Sequence, residues 1–306
     1  MSTKSIDTDN YLPRTRNPFV RLVRFLRKKR LNRSKWGDAL TFLVLIVLGV
    51  FMALPFYIAI VNSLKPLEEL FLYPPRLYVV RPTLDNFFNL GLVVQQLWVP
   101  FSRYLFNSVF ASVVATVGHV VIASMAAFSL AKYKFPGSLL LFNVVVLSLL
   151  FAGEVTFIPR YIVLAKTGLI NTYLALIVPW LAGSLGLFLM KQFMGQIPDE
   201  LLESARMDGA TVPRIYWSVA MPIVTPAWLT ATVLAFQAIW NDPGSGYIFN
   251  EELKPITTAL RQIAGAGIGR AGVVAAAGVL MFVPPVITFI AVQRKVLQTM
   301  AHSGIK

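Results

Sequence analysis

Long apolar runs alternate with short polar stretches along the chain from residue 38 onward. A helix needs about 20 mainly apolar residues to cross roughly 30 Å of hydrocarbon. Such segments must be helical, because backbone polar groups in lipid need partners within the same segment. Six are predicted, at approximately 38–63, 103–131, 138–158, 170–190, 221–241 and 271–292. The pattern therefore predicts an all-α integral membrane protein with six transmembrane helices.

Prolines fall within or near three of the predicted spans, at Pro55, Pro179 and the pair Pro284–Pro285. Proline lacks a backbone N–H and clashes with the preceding turn, so it kinks or unwinds a helix. We expect neighbouring helices to accommodate these bends.

The composition agrees with a membrane protein. Hydrophobic residues make up 56% of the 306 residues, mean hydropathy is +0.66 and charged residues are only 14%, against about 25% in ordinary soluble domains. The absence of cysteine excludes disulfides, cysteine-based zinc sites and a thiol nucleophile. The two histidines, His119 and His302, are too far apart in sequence to suggest a histidine metal site.

The positive charge is concentrated at the N-terminus. Of the net +14, residues 1–36 carry 11 Lys/Arg against two acids, and the cluster RLVRFLRKKRLNRSK (21–35) directly precedes the first span. Such clusters attract anionic cytoplasmic lipid and hold the terminus inside. A nucleic-acid patch is disfavoured, because nothing else in the chain supports it.

The remaining connections fit this orientation. With the N-terminus inside, the outer connections are 64–102, about 159–169 and 242–270, and the inner segments hold most of the Lys/Arg. We therefore predict two cytoplasmic termini, with a basic tail at 1–37, a six-helix membrane domain at 38–298 and a short tail at 299–306.

Few residues suggest chemistry. The stretch 267–272 matches GxGxxG, but it opens a predicted span and lacks the βαβ context of a dinucleotide site. Small residues that let helices approach closely explain it better. No GxxxxGK[ST] occurs, so the chain is not itself a P-loop ATPase. Without paired carboxylates, a catalytic triad or metal-ligand spacing, the sequence predicts a non-catalytic chain that binds no metal or cofactor.

Three polar residues lie at predicted membrane depth. Glu154, near the outer end of the third span, is a candidate pathway residue or a charge satisfied at the headgroup level by Arg160. Asn143 and His119 are expected to make interhelical hydrogen bonds. Asn241, at the end of the fifth span, is a further candidate for the pathway or for interhelical bonding.

The polar stretch at 197–221 predicts a helix, a turn and a second helix. Pro198 suits a first helical turn, and the acids at 199–200 complement the helix dipole. Gly209 is expected to end the helix at a C′ position. Thr211 can cap a second short helix that stops before Pro222.

One face of the first predicted helix is apolar, through Leu201, Leu202 and Ala205. The other face carries charges, and Glu203 and Arg206 are spaced to pair. A helix that merely rests on lipid favours Lys/Arg on its polar face, whereas 199–208 has four acids and one Arg. Docking to a protein partner is therefore the favoured interpretation.

The stretch ESARMDGATVPRIYWSVAMPIVTPA (203–227) resembles the EAA loop of ABC importer permeases, E-[AS]-A-x-x-D-G-A followed by a proline-terminated helix. Ser204 replaces the more usual alanine. The resemblance extends over roughly 38–306, to the carbohydrate-importer branch similar to maltose G-type permeases. It is carried by LPFYIAIVNSLKP (54–66), AKYKFPG (131–137), EVTFIPRYIVLAKTGLINTYLALIVP (154–179), QIPDEL (196–201) and AIWND (238–242).

This resemblance implies a type I ABC importer permease in a bacterial inner membrane. The expected partners are a second related permease, two ATPase subunits that bind the ATP, a solute-binding protein, membrane lipid and an oligosaccharide substrate. The coupling helix in the ATPase cleft would be formed by Glu203, Ser204, Ala205, Arg206, Asp208, Gly209 and Ala210.

Segments 240–260 and 299–306 look like a sub-branch tied to complex polysaccharide-derived oligosaccharides, including uronate-containing ones. The sequence leaves alternatives open. Another solute, such as glycerol phosphate, fits the same family. A stand-alone channel or secondary carrier explains the spans but not the acidic, glycine-broken element at 197–221.

Overall fold

The computed structural model describes residues 35–95, 99–151, 153–242, 244, 246–264 and 267–303, and within these ranges it contains helices and loops without β-strands. The predicted basic cluster at 21–35 and the final residues 304–306 lie outside them, except for Lys35. The helices are α1 (Lys35–Ser63), α2 (Leu67–Leu70), α3 (Asp85–Gln95), α4 (Phe101–Lys132), α5 (Ser138–Ser148), α6 (Gly153–Lys166), α7 (Tyr173–Leu181), α8 (Ser184–Gly195), α9 (Asp199–Met207), α10 (Val212–Ile215), α11 (Met221–Ile223), α12 (Thr225–Asn241), α13 (Ile256–Ala264) and α14 (Ala271–Ser303).

Four spans in the described part are long and apolar enough to cross a membrane, at Trp36–Ser63, Phe101–Lys132, Tyr173–Gly195 and Ala271–Lys295. Two further helix pairs pass the same test only when joined. The pair α5 and α6 is bent by 115°, and the segment Val212–Ile223 meets α12 at 81°. The predicted spans at 138–158 and 221–241 are therefore broken where hydropathy alone suggests continuous helices.

The chain divides into two compact units, one ending at Pro55 and the other beginning at Phe56. In the described part of the first unit, the apolar side chains of α1 are exposed, including Phe51 and Met52. Such a uniformly apolar, exposed surface suits contact with lipid or with another membrane helix.

Helix α4 is central to the second unit, where it packs against α7, α8 and α12. Its buried residues include Ala111, Ala115, Ala123 and Ala127, which repeat at multiples of four and so form a ridge of small side chains that winds slowly around the helix. Small side chains let neighbouring backbones approach closely, which is how membrane helices gain packing energy. The 32 residues of α4 span about 48 Å.

Helix α14 contains the Pro284–Pro285 pair. Pro285 has no N–H, so the carbonyl of Met281 four residues earlier loses its helical partner. The indole Nε1–H of Trp240 on α12 donates to that carbonyl at 2.9 Å. A neighbouring helix thus satisfies the freed group, as we predicted for the prolines.

One glycine of the pattern at 267–272, Gly272 at the start of α14, has a packing role, whereas Gly267 and Gly269 have open space around them. A Cβ added to Gly272 would lie 2.2 Å from Oδ1 of Asn86 on α3. Asn86 is buried, and its Nδ2 donates to the carbonyls of Ser63 and Lys65 at 2.9 and 2.7 Å. Gly272 therefore serves close packing against the segment after α1, in agreement with the prediction.

Candidate functional site

Helix α9 begins at Asp199, directly after Pro198, which the sequence predicted within the first turn. Pro198 precedes it in extended conformation, and Asp199 and Glu200 occupy its first turn. Nζ of Lys132, at the end of α4, donates to Oδ1 of Asp199 at 2.7 Å. The same Nζ also donates to the carbonyl of Ile197. The hydrogen bond and charge of Lys132 lower the pKa of the Asp199 carboxyl. The end of α4 thus fixes the start of α9.

The end of α9 is a Schellman motif. The N–H of Gly209 donates to the carbonyl of Arg206 at 2.9 Å, and the N–H of Ala210 donates to the carbonyl of Ala205 at 3.0 Å. Gly209 has φ +79°, a left-handed conformation that glycine adopts without steric cost. The predicted role of Gly209 as the helix terminator is confirmed.

The inward face of α9 is anchored by Leu202, which is 3% exposed. It belongs to a buried cluster with Phe128 of α4, Met194 of α8 and Ile215 of α10, and Ala205 and Ala210 pack against this cluster. Full burial of a leucine side chain contributes about 1.5–3 kcal/mol. These contacts hold α9 and its C-terminal cap against α4, α8 and α10.

The outward face of α9 presents the other predicted residues. Glu203, Ser204, Arg206, Asp208 and Gly209 are exposed, whereas Ala205 and Ala210 are half-buried. The structure thus brings the predicted coupling residues together in one turn of helix and its C-terminal cap.

Three exposed apolar side chains lie on the same element. Met207 is 87% exposed, and Leu201 and Val212 are also exposed. Leu201 was predicted on the buried face together with Leu202, but adjacent residues in a helix lie 100° apart and only Leu202 points inward. The sequence interpretation missed Met207. This residue lies off the helical face that Leu202 and Ala205 share, and that spacing could have identified it as an exposed side chain.

The predicted ion pair between Glu203 and Arg206 is not formed. The guanidinium of Arg206 instead lies over the ring of Tyr133, 5.9 Å from its centroid. Tyr133 directly follows α4 and offers a ring face that attracts a cation. The Glu203 carboxylate is thereby left facing outward without an ion-pair partner among the described residues.

The second helix of the element differs from the prediction. Thr211 occupies the N-cap position, but its side chain makes no capping hydrogen bond. The helix also does not stop before Pro222, because it continues through a π-helical turn at Tyr216–Ala220 into α11. Pro222 lies two residues after this π-helical turn, where its missing N–H interrupts the helical hydrogen bonds without ending the helix. The sharp bend comes later, at Val224.

The polar residues at predicted membrane depth have different surroundings. Glu154 is exposed in the first turn of α6. Arg160 does not pair with it; the guanidinium instead lies 5.7 Å from the ring centroid of Trp180. Asn143 is exposed and makes no interhelical hydrogen bond within the described ranges. Neither Glu154 nor Asn143 therefore has a hydrogen-bonding or ion-pair partner among the residues that the structure describes, and a pathway role for Glu154 stays a prediction.

His119 does make the predicted interhelical contact. Its Nδ1 lies 3.4 Å from the carbonyl of Leu181, at the break between α7 and α8. Gly183 and Gly186 leave room for the ring, since a Cβ at Gly186 would come 2.1 Å from Nε2. His119 thus fills the gap beside a broken transmembrane helix.

The loop at 242–256 forms a second polar cluster that the sequence interpretation missed. Asp242 accepts hydrogen bonds from Trp180 Nε1 at 3.2 Å, from the Gly244 N–H at 2.9 Å and from the Tyr247 hydroxyl. Burial and the adjacent Asp242 carboxylate raise the pKa of the Tyr247 hydroxyl. Asp242 therefore ties this loop to α7.

The same loop is bonded to the N-terminal end of α4. Nδ2 of Asn107 donates to the carbonyls of Glu252 and Lys254 at 2.8 and 3.0 Å, and the Tyr104 hydroxyl donates to Glu251 at 2.7 Å. Burial acts to raise the pKa of the Glu251 carboxyl, but the hydrogen bonds from Lys254 and Tyr104 leave it lowered. Sequence patterns give no sign of these pairs because their members lie about 145 residues apart.

No model of a protein family matches the chain. A putative ABC transporter permease protein, ORF2, from Caldicellulosiruptor sp. (strain Rt8B.4) is 32% identical over 203 residues, which cover 66% of this chain and 72% of that protein. The sn-glycerol-3-phosphate transport system permease protein UgpE from Escherichia coli O1:K1 / APEC is 27% identical over 269 residues, covering 85% of this chain and 94% of that protein.

The fold is similar to a chain in the crystal structure of a bacterial ABC transporter involved in the import of the acidic polysaccharide alginate. The TM-score is 0.71 at 20% sequence identity, over 87% of this chain and 99% of that chain. The helical architecture and the relatives agree with the resemblance carried by the motif at 203–227. The chain belongs to the family of ABC transporter permeases, which are multi-pass proteins of the cell membrane.

Proposed function

We propose that this chain is one permease subunit of an ATP-driven sugar or oligosaccharide importer, and that it forms half of the translocation pathway with a second permease. The observation that carries the proposal is the outward face of α9. This face presents Glu203, Arg206 and Asp208 around the exposed Met207, and the buried Leu202 anchors the opposite face of the helix. Charged groups that rim an exposed apolar side chain suit a protein interface better than a lipid surface.

The partner at this face is an ATPase subunit. The half-buried Ala205 and Ala210 keep the helix slender, so that it fits a groove, and Met207 supplies a flexible apolar contact. The carboxylates of Glu203 and Asp208 face outward and offer acceptors to basic groups. ATP is bound by the partner subunits, and this chain contributes no catalytic residue or cofactor.

In the proposed topology each bent helix pair is one span, which gives six spans and two cytoplasmic termini. Lys132 and Lys134 lie at the same end of α4 as α9. Clustered lysines favour the cytoplasmic side, which supports placing α9 where cytoplasmic ATPases reach it. The loop at 242–256, bonded to the other end of α4, then faces outward towards a solute-binding protein.

The proposed cargo is an oligosaccharide derived from a complex polysaccharide, including uronate-containing chains. The sequence resemblance of segments 240–260 and 299–306 and the fold likeness to an alginate transporter support this class. A second candidate, sn-glycerol-3-phosphate, is favoured by the E. coli relative that covers 85% of the chain. The two cargoes differ in size and charge, so one assay separates them.

The test is purification of the tagged chain from its native membrane, followed by reconstitution of the complex with its solute-binding protein. We expect a second permease and a P-loop ATPase to co-purify at stoichiometric amounts. ATP hydrolysis should then be stimulated by binding protein loaded with neutral or uronate oligosaccharides. Stimulation by sn-glycerol-3-phosphate alone selects the second candidate, and a chain that purifies as a homo-oligomer without an ATPase contradicts both.

A further inference from the structure

A cleft of about 580 Å³ opens where α12 faces α14. Its size falls within the range of about 300–1,000 Å³ that small-molecule sites occupy. Mostly apolar side chains line it, among them Phe56, Met281, Phe282, Pro285 and Phe289, together with two amides, Gln237 and Asn241. An apolar wall with a few convergent polar groups is the usual chemistry of a ligand site.

The two amides lie one helical turn apart, so they share one face of α12. Nδ2 of Asn241 donates to the main-chain carbonyl of Gln237 at 2.8 Å, which orients Asn241 and leaves its Oδ1 as an acceptor. The side-chain amide of Gln237 has no hydrogen-bond partner in the part of the chain that the structure describes. The cleft therefore offers both donors and acceptors.

The aromatic wall is preorganised. The rings of Phe56 and Phe282 pack edge to face, with centroids 5.4 Å apart and planes at 85°. The adjoining backbone of α14 is fixed by the hydrogen bond from Trp240 to the carbonyl of Met281. Because Phe282 and Asn241 are already held in place, a ligand that contacts them loses less free energy to side-chain ordering.

Lipid is a poor occupant of this cleft. An amide that faces hydrocarbon without a partner costs several kcal/mol in general, and polar residues at membrane depth normally face the bundle interior or a water-filled cavity. The described lining residues carry no charge. The cleft thus suits a neutral group that has both an apolar face and hydroxyls.

We propose that the cleft is a sugar subsite of this chain. A pyranose ring lies against Phe282 and Phe289 through its apolar C–H face, and its hydroxyls bond to Gln237 and Asn241. The inference rests on the proposed function and deepens it, because it places cargo contacts on this subunit. Since the lining is uncharged, the subsite recognises hydroxyls and is indifferent to carboxylates elsewhere on the cargo.

The first experiment compares Gln237→Leu and Asn241→Leu with Gln293→Leu in the reconstituted complex. Gln293 is an exposed amide on α14 outside the cleft. We expect the two cleft variants to slow oligosaccharide uptake about three- to tenfold, the effect of one lost hydrogen bond. ATP hydrolysis without cargo and thermal stability should match those of the control. Equal uptake by all three variants, or loss of assembly in the cleft variants, overturns the subsite.

The second experiment uses the absence of cysteine from the chain. Asn241→Cys is placed in an otherwise cysteine-free complex in nanodiscs and treated with a water-soluble maleimide. We expect labelling that saturating loaded binding protein and an ATP analogue reduce at least fivefold, whereas labelling of Gln293→Cys stays constant. A thiol that is unreactive in the complex overturns the subsite, because lipid or a partner helix then fills the cleft.

These results separate the two levels of inference. A wild-type complex that is stimulated by no sugar removes both the proposed function and the subsite. A wild-type complex that imports sugar, with unchanged uptake and labelling in the cleft variants, removes the subsite alone.

Discussion

Two polar loops lie at opposite ends of α4 and differ in where their polar groups point. In the loop at 242–256, the Asp242 carboxylate and the carbonyls of Glu252 and Lys254 hydrogen-bond to side chains of α7 and α4. The element at 197–211 is secured by the buried side chains of Ile197 and Leu202 and by Lys132, and the charged side chains at 200, 203, 206 and 208 are exposed. Similar residue types thus serve cohesion at one end and recognition at the other.

A structural loop and an interface can therefore be equally polar. They differ in whether their polar groups are hydrogen-bonded within the protein or left exposed. A buried polar group that loses its partner costs about 1–3 kcal/mol, so substitutions in the loop at 242–256 should affect stability. Exposed charges contribute little to folding, so substitutions on α9 should affect assembly and leave the fold intact.

The largest effect is expected at Gly209. Gly209→Val places a β-branched residue at φ +79°, which costs about 1–2 kcal/mol and distorts the cap of α9. We expect ATP-driven uptake by the reconstituted complex to fall at least tenfold, whereas Gly209→Asn, which tolerates this conformation, retains most of it. Gly195→Ala is the matched control, because it lies in open space at the end of α8. Normal uptake by the Val variant would disprove the coupling role.

The next largest effect is loss of stability at the opposite loop. Asp242→Ala leaves the donors of Trp180, Tyr247 and Gly244 without their acceptor, and we expect it to destabilise the fold by about 2–4 kcal/mol. The thermal midpoint of the purified chain in detergent measures this. Asp85 is an exposed carboxylate in the first turn of α3, and Asp85→Ala should change the free energy of unfolding by about 0.5 kcal/mol. Equal midpoints for the two variants would break the contrast between the loops.

A smaller effect, on assembly alone, is expected at Glu203. Glu203→Lys reverses an outward charge that has no ion-pair partner within the described chain, so folding should be unchanged. Co-purification of the ATPase subunit should fall about three- to tenfold at low salt and recover partly at high salt, where charges are screened. Unchanged assembly at all salt concentrations would remove this residue from the interface.

The smallest effect is a pH dependence at the start of α9. Lys132 lowers the pKa of Asp199 in the folded state, so its stabilisation is present above the unfolded pKa near 3.9 and is lost as pH falls through the folded value. Asp199→Asn should therefore lower the thermal midpoint slightly at neutral pH, and the two proteins should converge in acid. A difference that grows on acidification would contradict the ion pair.

Local residue chemistry predicted the ends of α9. Pro198 and Gly209 act through their own backbone preferences, which do not depend on the rest of the fold, and apolar run length predicted four of the spans as single helices. The destination of Arg206 was missed, because the ring that attracts it belongs to Tyr133, 73 positions away and beyond the reach of helical spacing. The bends after Ser148 and at Val224 were missed for a related reason, since hydropathy measures solvent preference and carries no information on direction.

The bond between Trp240 and the Met281 carbonyl has an evolutionary consequence. An ordinary residue at 285 would supply a helical N–H that competes with the indole for that carbonyl. Replacing Trp240 first would orphan the carbonyl while the proline remained. Each single change is unfavourable in a different way, so we expect these two positions, 45 residues apart in the chain, to covary among related permeases.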